Sequence, residues 1–307
     1  MKDRVASEIS KVVVGREKEA ELLLVCMLAK GHVLLEGVPG VSKTLLAKAF
    51  ARCVSLDFGR VQFTPDMLPL DIVGGFVFNL KTREFDFKKG PVFTNVLVAD
   101  EINRAPPKVQ SALLESMQEL QVTVEGRTEK LPAPFMLIAT QNPVEFQGVY
   151  PLPEGQVDRF MVKATMDYPS PDVESRIIKR NLVELDVADV ESVVSRQELG
   201  EAFEAVAQVK VSDDIMGYLA EFARASRMDV RVRLGASPRS LVHLAHCARA
   251  FAYIRGRGYV IPDDVKFLTP YVIAHRLRLD QTSRIKGERI DPYQVVRETL
   301  DKVKPPR

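Results

Sequence analysis

The sequence predicts an α/β domain built on a parallel sheet, followed by a helical domain. Up to about Pro169, short runs rich in valine, isoleucine and phenylalanine alternate with amphipathic stretches of helical period. This is the pattern of a parallel sheet covered on both faces by helices. From Tyr168 onward the strand signal disappears and helical periodicity continues to near the C-terminus. We therefore expect a core over residues 1–168, a linker over 169–190 and an all-helical domain over 191–307.

Five apolar runs are the candidate strands of the sheet: 32–36, 60–64, 96–99, 136–140 and 160–166. Two further pairs of segments alternate with period two around a short polar turn, and each pair is predicted to be an inserted β-hairpin. The hairpins join 76–80 to 84–88 and 121–124 to 128–131. Proline in the first turn and serine or aspartate at the caps support several of the later helices, which are expected over 172–182, 195–207, 213–226, 238–255, 262–277 and 292–303.

Composition argues against some partners and compartments. Lysine and arginine number 43 and acidic residues 41, for a net charge of +2, so no global basic field favours nucleic acid or an anionic membrane. The cysteines, Cys26, Cys53 and Cys247, lie singly in apolar helical patterns, which indicates small core residues in a reducing compartment. The sequence shows no apolar stretch of signal-peptide or membrane-spanning length. We expect a cytoplasmic protein without membrane insertion.

A glycine-rich segment, GVPGVSKT over 37–44, follows the first predicted strand and precedes a helical stretch. Its spacing is that of a phosphate-binding loop, in which backbone N–H groups and a helix N-terminus surround a polyphosphate. Lys43 is expected to reach the β and γ phosphates, and Thr44 to offer its hydroxyl to Mg²⁺. The general pattern has glycine where Ser42 stands, so we expect there a backbone angle that L-residues tolerate. The alternative is a glycine-rich turn before an ordinary helix. The expected nucleotide-binding residues are Gly37, Gly40, Val41, Ser42, Lys43, Thr44 and Leu45.

Polar residues end two further predicted strands. The run NVLVA leads into Asp100 and Glu101, and ligands of open α/β sheets bind at the carboxyl ends of the strands. Asp100 is expected to hold Mg²⁺ through its water shell, and Glu101 to orient and deprotonate an attacking water. Alone, such a pair is commonly a solvated turn; the upstream loop favours the catalytic interpretation. Asn142, after the next strand, is a candidate for holding that water or the γ phosphate, although asparagine before proline by itself favours a turn.

Four stretches in this order resemble the MoxR family of AAA+ ATPases: GVPGVSKT, VLVADEINRAPPKVQSALLESMQE, IATQNPVEFQGVYPLPEGQVDRF and GASPRSLVHLAHCARA. The resemblance runs from Val13 to the helices after Pro262. The loop alone is shared by many unrelated NTPases, whereas the four stretches together are specific. Ser42 stands where the family commonly has alanine and Val38 where it commonly has proline. The resemblance implies ATP and Mg²⁺ as ligands, and an AAA+ P-loop NTPase core with a parallel sheet and two inserted β-hairpins, followed by an all-helical lid domain.

By this resemblance Asn142 is the sensor 1 residue, and Arg159 is the arginine finger that reaches the γ phosphate of a neighbouring subunit. Arg239 matches sensor 2 on the lid, and whether it acts on its own subunit's nucleotide or the neighbour's is open. The alternatives are that Arg159 is a surface arginine capping a strand and that Arg239 is an ordinary residue of a helix's first turn.

The resemblance extends to binding segments and to assembly. The segment Val14, Gly15 and Arg16 matches the one that family members fold around adenine. The two hairpins match the helix-2 insert (about 74–92) and the presensor 1 hairpin (about 121–131), which would project from one face of a ring. The family implies a homo-oligomer of six subunits. A stabilising arginine supplied by a neighbour is worth roughly 10³ to 10⁵ in turnover, so we expect a monomer to hydrolyse ATP slowly.

Three functions are compatible with these features. The first is an ATP-driven chaperone that matures, activates or inserts a metal into a partner protein, for which the family suggests a client with a von Willebrand factor A domain. The second is a nucleic-acid-stimulated motor, which near-neutral charge and few aromatic residues argue against. The third is a regulatory nucleotide-binding scaffold with little turnover, which the joint presence of Lys43, Asp100 and Glu101 argues against.

Two weaker signals have ordinary interpretations. His243, His246 and Cys247 recur at helical spacing and are potential metal ligands, but their apolar neighbours favour a core face. Basic residues on the two hairpins are interpreted as solvated; they are Lys81, Arg83, Lys88, Lys89, Arg127 and Lys130.

Overall fold

The computed structural model describes residues 1–143, 149–181, 187–280, 284–285 and 288–306 of the chain. These residues form two compact units. The first comprises Met1–Leu23, Lys30–Phe160 and Ala164–Arg196, and the second comprises Leu24–Ala29, Met161–Lys163 and Gln197–Arg307. The described part of the expected linker, 169–181 and 187–190, belongs to the first unit in this division.

Strands and helices alternate through the first unit, and helices dominate the second. The strands are β1 (Val33–Gly37), β2 (Phe58–Gln62), β3 (Gly74–Asn79), β4 (Glu84–Lys89), β5 (Val96–Asp100), β6 (Gln121–Val124), β7 (Arg127–Lys130), β8 (Met136–Gln141), β9 (Val162–Met166), β10 (Val232–Leu234), β11 (Arg278–Leu279), β12 (Arg284–Ile285) and β13 (Glu288–Arg289). The helices are α1 (Lys2–Ser10), α2 (Glu17–Leu28), α3 (Lys43–Cys53), α4 (Pro69–Val73), α5 (Pro107–Glu119), α6 (Glu154–Val157), α7 (Pro171–Asn181), α8 (Arg196–Gln208), α9 (Asp213–Met228), α10 (Pro238–Ile254), α11 (Pro262–Ile273) and α12 (Pro292–Lys302).

The first unit is built on a five-stranded sheet in the order β2-β5-β8-β1-β9. Strand β5 pairs in parallel with β2 and with β8, and β8 pairs in parallel with β1. Every residue of β5 is buried, as are the first five residues of β8, because helices cover both faces of such a sheet. The predicted five-stranded parallel sheet is confirmed.

Both predicted hairpins are present. In the β3–β4 hairpin Phe76 lies opposite Phe87 and Phe78 opposite Phe85, and each pair makes a ring contact, with centroids 5.4 Å and 5.3 Å apart. The pair nearer the sheet packs against the hydrophobic core of the first unit, whereas the outer pair is exposed. The β6–β7 hairpin pairs over four residues on each strand. The basic residues of both hairpins are exposed, as expected.

A buried histidine ties the start of the sheet to a helix. His32, directly before β1, accepts a hydrogen bond at Nδ1 from the backbone N–H of Leu137 in β8, and its Nε2 lies 3.0 Å from the carbonyl oxygen of Met117 in α5. These partners require a neutral ring that carries its proton on Nε2. Burial lowers the pKa of His32 to about 4, and the bond to Met117 opposes that shift only in part.

The second unit is helical, as predicted, with two additional strand pairs. Helix α10 begins after Ser237, whose side chain accepts a hydrogen bond from Ser240, and α12 begins after Asp291, which caps it in the same way. The rings of Phe251 in α10 and Phe267 in α11 stack with their centroids 4.8 Å apart. The short strands β10 and β11 pair with each other, as do β12 and β13; segments this short carry too little periodicity to be recognised in a sequence.

The helix boundaries differ from prediction by a few residues. Helix α11 ends at Ile273 and continues as a 3₁₀ turn, Ala274–Arg276, where the sequence predicted an α-helix to residue 277. The predicted end of α7, Leu182, lies outside the described residues. None of the helices in the described part of the chain is both long and apolar enough to cross a membrane.

Candidate functional site

The glycine-rich loop joins the end of β1 to the N-terminus of α3. Gly40 has φ +82°, and a Cβ added there would meet no heavy atom within 4 Å, so glycine is required for its backbone conformation and not for space. Ser42 directly precedes α3 with φ 65° and ψ 27°. This is the left-handed region, which favours glycine and raises the energy of other L-residues by about 1 to 2 kcal/mol. The structure therefore differs from the expectation of a readily tolerated angle, and explains why glycine is the general choice.

Lys43, the first residue of α3, projects its ammonium group across the ends of two central strands. Its Nζ donates to the carbonyl oxygen of Gly37, at the end of β1, and lies 3.3 Å from that of Gln141, at the end of β8. The charge therefore sits at the carboxyl edge of the sheet, directly under the loop. A phosphate group held by the loop would meet this ammonium group.

Asp100 is the centre of a hydrogen-bond network. The hydroxyl of Thr44 lies 2.9 Å from both carboxylate oxygens of Asp100, and Thr140 of β8 donates to Oδ1 at 3.1 Å. Arg60 of β2 donates from Nε to Oδ2 at 2.7 Å. Strands β2, β5 and β8 and the first turn of α3 therefore meet at one buried carboxylate. The two predicted metal ligands, Thr44 and Asp100, are in direct contact.

Glu101 lies at the turn after β5, with φ 57° and ψ 49°. Its backbone N–H donates to the hydroxyl of Thr140 at 3.0 Å, so the residue that contacts Asp100 also fixes the main chain of Glu101. Its side chain is half-buried and pairs with Nε of Arg104 at 2.9 Å. A carboxylate in this position can accept a proton from a water molecule bound at the same edge.

Two buried side-chain amide groups, those of Asn103 and Gln110, support the turn that carries Glu101. Asn142, at the end of β8, is buried, and Asn103 donates from Nδ2 to its carbonyl oxygen at 3.4 Å. Nε2 of Gln110, in α5, lies within hydrogen-bonding distance of the carbonyl oxygens of Ile102, Ala105 and Tyr150, at 3.0 to 3.3 Å. The turn after Glu101 and the segment that begins at Tyr150 therefore share one anchor.

A pocket of about 280 Å³ opens beside the loop in the first unit. It is lined by Val12, Val13, Val14, Arg16, Gly40, Val41, Ser42, Leu45, Pro169, Ile177 and Arg180. Aliphatic side chains make up most of the lining residues, Arg16 and Arg180 add polar surface, and the pocket adjoins the left-handed residues of the loop. Such a pocket suits a flat, weakly polar group such as a nucleobase attached to phosphates in the loop.

The wall of this pocket is set by a close approach of two segments. Gly15 has φ +74°, and a Cβ added there would lie 2.6 Å from Cγ1 of Val173 in α7. Arg16 is held by a hydrogen bond to the carbonyl oxygen of Asp167 at 2.7 Å. Sequence reasoning found the Val14 to Arg16 side of the pocket but missed Ile177 and Arg180, because it assigned α7 to a linker.

The network and the pocket, as traced through the described residues, include neither Arg159 nor Arg239. Arg159 is half-buried between α6 and β9, and its backbone N–H donates to the carbonyl oxygen of Gln156 at 3.2 Å. Arg239 lies in the first turn of α10, in the second unit. Their predicted roles depend on a partner subunit or on the lid, and they stay predictions.

The weaker metal signal on α10 has no support. His243 hydrogen-bonds Arg276 through Nδ1 at 2.8 Å, Cys247 is buried in the core and His246 is exposed. The core interpretation therefore holds for Cys247, whereas His243 is half-buried and His246 departs from it. Cys26, Cys53 and Cys247 are all buried free thiols.

The donor set at Asp100 fits Mg²⁺. Thr44 and Asp100 present hydroxyl and carboxylate oxygens, which are the ligands that this cation prefers, and Mg²⁺ usually takes only one or two carboxylates while phosphates and water fill the other positions. Within the described ranges no group of three or more His, Cys, Asp or Glu side chains forms a separate metal site. A site of this kind depends on a nucleotide to complete the coordination.

The family comparisons agree with this geometry. The family described as "ATPase family associated with various cellular activities (AAA)" matches residues 32–162, which include the loop, both acids and Asn142. A second family, described as the AAA lid domain, matches residues 224–299. A crystal structure of a presumed ATPase from Cytophaga hutchinsonii superposes with a TM-score of 0.91 at 39% identity, covering 99% of this chain and 94% of that one.

Two of three relatives that match over nearly the whole chain carry the family name. The chain is 44% identical to Chaperone MoxR1 of Mycobacterium tuberculosis, over 99% of this chain and 82% of the relative, and 43% identical to protein YeaC of Bacillus subtilis, over 99% and 94%. It is 31% identical to Protein MoxR of Methylorubrum extorquens, over 99% and 94%. On this similarity, and on a sheet and loop that have the architecture it implies, the chain belongs to the MoxR family of AAA+ ATPases.

Proposed function

We propose that the chain is a Mg²⁺-dependent ATP hydrolase that works as a hexameric ring and remodels a client protein. The observation that carries the hydrolase proposal is the contact of Thr44 with both oxygens of Asp100, 2.9 Å each, beside the ammonium group of Lys43 and directly before Glu101. This contact supports a site in which the N-terminus of α3 binds phosphate, Asp100 binds the metal and Glu101 acts as the base. That is the set of groups that phosphoryl transfer to water requires.

Each residue then has a role in the reaction. Lys43 and the backbone of the loop hold the β and γ phosphates, and the pocket lined by Leu45 and Val14, next to Gly15 in the chain, holds the base. Thr44 and Asp100 hold Mg²⁺, which neutralises charge on the phosphates when bound. Glu101 orients a water molecule and accepts its proton as the water attacks the γ phosphorus, and ADP leaves with the β–γ bridging oxygen.

We propose further that the site is completed by a neighbouring subunit. Asn142 is assigned to the γ phosphate or the water as sensor 1, Arg159 to the neighbour's γ phosphate and Arg239 to the nucleotide as sensor 2. Support for a ring comes from membership of the family and from the position of Arg159 outside the network around Asp100. An arginine supplied in this way accelerates turnover by roughly 10³ to 10⁵, so isolated subunits should bind ATP and hydrolyse it slowly.

The client function rests on relatives. The Mycobacterium tuberculosis relative is named a chaperone. By similarity to this family, we propose that the chain uses ATP to mature or activate a partner protein, or to insert a metal into it. The proposed partner carries a von Willebrand factor A domain. The exposed outer half of the β3–β4 hairpin gives such a ring apolar surface for contact with a client. Activity in the cytoplasm is part of the same proposal.

A subunit-mixing experiment tests the composite site. Rings of Glu101→Gln subunits lack the base and rings of Arg159→Ala subunits lack the finger, so each alone should be inactive in steady-state phosphate release. Mixed rings contain interfaces with both groups intact and should recover part of the activity. If stable mixed rings stay as inactive as the parents, Arg159 does not act across an interface.

A trapping experiment tests the client role. Glu101→Gln should bind ATP normally, because Lys43, Thr44 and Asp100 are unchanged, and should hold a client that wild-type protein releases on hydrolysis. Affinity capture in ATP and in ADP compares the two states. Normal turnover by Glu101→Gln would show that Glu101 is not the base, and equal capture in ATP and ADP would contradict nucleotide-driven client binding.

A further inference from the structure

We propose that Arg60 is an internal counter-ion that competes with Mg²⁺ for Asp100 and so sets the Mg²⁺ concentration at which the site binds nucleotide. The inference rests on the proposed function, because it takes Thr44 and Asp100 as the metal-binding residues. It concerns a residue that the four family-like stretches of the sequence do not contain.

Arg60 is built into the site by strand register. Gln62 of β2 lies opposite Asp100 of β5, and Arg60 lies opposite Val98. Because residues two apart in a strand share one face of the sheet, Arg60, Gln62 and Asp100 lie on the same face. Arg60 donates from Nε to Asp100 at 2.7 Å and from Nη2 to Gln62 at 3.0 Å, so both sides of its guanidinium group are held.

The carboxylate of Asp100 is engaged at both of its oxygens. Three donors share it: the single hydroxyl of Thr44, whose oxygen lies 2.9 Å from each carboxylate oxygen, Thr140 on Oδ1 and Arg60 on Oδ2. A cation, or the water bound to it, that approaches Oδ2 therefore meets the guanidinium group of Arg60.

Of these donors, Arg60 is the one whose departure disturbs least. Thr140 also accepts the backbone N–H of Glu101, so its rotation would release the catalytic turn. Thr44 can offer a lone pair to the metal while its proton still points at Asp100. The side chain of Arg60 is 50% exposed, against 6% for Asp100, so it can move into solvent without leaving a buried group unpaired.

Charge acts in the same direction as geometry. A guanidinium group within hydrogen-bonding distance of Asp100 repels a divalent cation that approaches the same carboxylate, and only partial screening is expected beside a buried acid. A hydrogen-bond partner that only orients a metal ligand has the opposite effect, since its loss typically lowers metal affinity tenfold to a hundredfold. If charge repulsion decides, removing the charge of Arg60 should lower the half-saturating Mg²⁺ concentration on the order of tenfold.

Equilibrium nucleotide binding against Mg²⁺ concentration tests the inference without relying on turnover. A fluorescent ATP analogue is titrated in the Glu101→Gln background, with and without Arg60→Gln, and its affinity in chelator gives the metal-free reference. Arg60→Gln should shift the Mg²⁺ midpoint about tenfold lower and leave the metal-free affinity within a factor of about two. Arg60→Lys, which keeps the charge, should stay close to the parent.

A matched control separates local competition from net charge. Arg127→Gln removes the same charge from an exposed arginine of the β6–β7 hairpin, which pairs with Glu129, and should leave the midpoint unchanged. An unchanged midpoint in Arg60→Gln, or a higher one, would overturn the inference and make Arg60 a residue that only orients Asp100. If the parent binds nucleotide with no dependence on Mg²⁺, the proposed function itself fails and this inference falls with it.

Discussion

Acidification should destabilise this protein through one buried histidine. His32 has a folded pKa of about 4 against a reference value of 6.5, because burial disfavours the charged ring. The unfolded chain therefore binds a proton more readily than the folded one, and stability that is fully present above about pH 6.5 is lost as the pH falls towards 4. In the folded protein the backbone N–H of Leu137 donates to Nδ1 of His32. Protonation of Nδ1 would remove this hydrogen bond and bring two N–H groups into contact.

The size of the effect follows from the two pKa values. The linkage relation gives a loss of about 2 kcal/mol between about pH 7.5 and about pH 5, rising to about 3 kcal/mol below pH 4. The fold lowers the pKa values of carboxylates such as Glu8 and Glu298. Protonation of these groups therefore reduces the free energy of unfolding over a more acidic range than protonation of His32 does. At about pH 5 the contribution of His32 should therefore dominate.

Urea unfolding followed by circular dichroism at the two pH values measures the effect. A His32→Asn variant keeps polar atoms at the site but does not titrate, so its stability should be lower at neutral pH and should change by about 2 kcal/mol less between the two conditions than that of the wild type. Equal pH dependence in both proteins would refute the assignment of the low pKa to His32.

Three further substitutions test the loop and the pocket. Lys43→Ala should weaken ATP binding on the order of a hundredfold by removing charge-assisted hydrogen bonds to the phosphates, whereas Lys48→Ala, on the exposed side of the same helix, should have no effect; equal losses would refute the loop assignment. Ser42→Gly should raise the free energy of unfolding of the nucleotide-free protein by about 0.5 to 1 kcal/mol, because glycine adopts the left-handed conformation without strain, and a loss of stability would contradict that strain. Ile177→Ala should weaken ATP-analogue binding about fivefold through lost apolar contact, while its exposed neighbour Ile178 serves as the control; identical affinities would remove α7 from the base pocket.

The sheet could be predicted from the sequence because its signals are local. Continuous apolar runs such as 96–99 mark strands buried on both faces, and polar residues at their ends mark the edge where Lys43, Asp100 and Glu101 meet. Residue type and spacing suffice for such features, since each is encoded within a few positions of the chain.

The remaining parts of the site depend on contacts between distant segments. Arg60 and Asp100 are 40 positions apart in the chain and meet only through the register of β2 on β5, which no local sequence pattern reports. The same holds for Ile177, which lines the pocket although helical periodicity alone describes α7 as an ordinary amphipathic helix. The conformation of Ser42 could not be predicted because the residue is common at helix N-termini with an ordinary backbone angle.

The position of Gln110 has a mechanical consequence for an assembled ring. One buried amide nitrogen bonds the turn behind Glu101 and the segment that leads from Tyr150 to Arg159, so a shift of either segment strains the other. If Arg159 acts on a neighbouring subunit's nucleotide, as proposed, a movement of Glu101 after phosphate release would be transmitted through Gln110 to that arginine. Gln110 would then couple hydrolysis in one subunit to the site of the next.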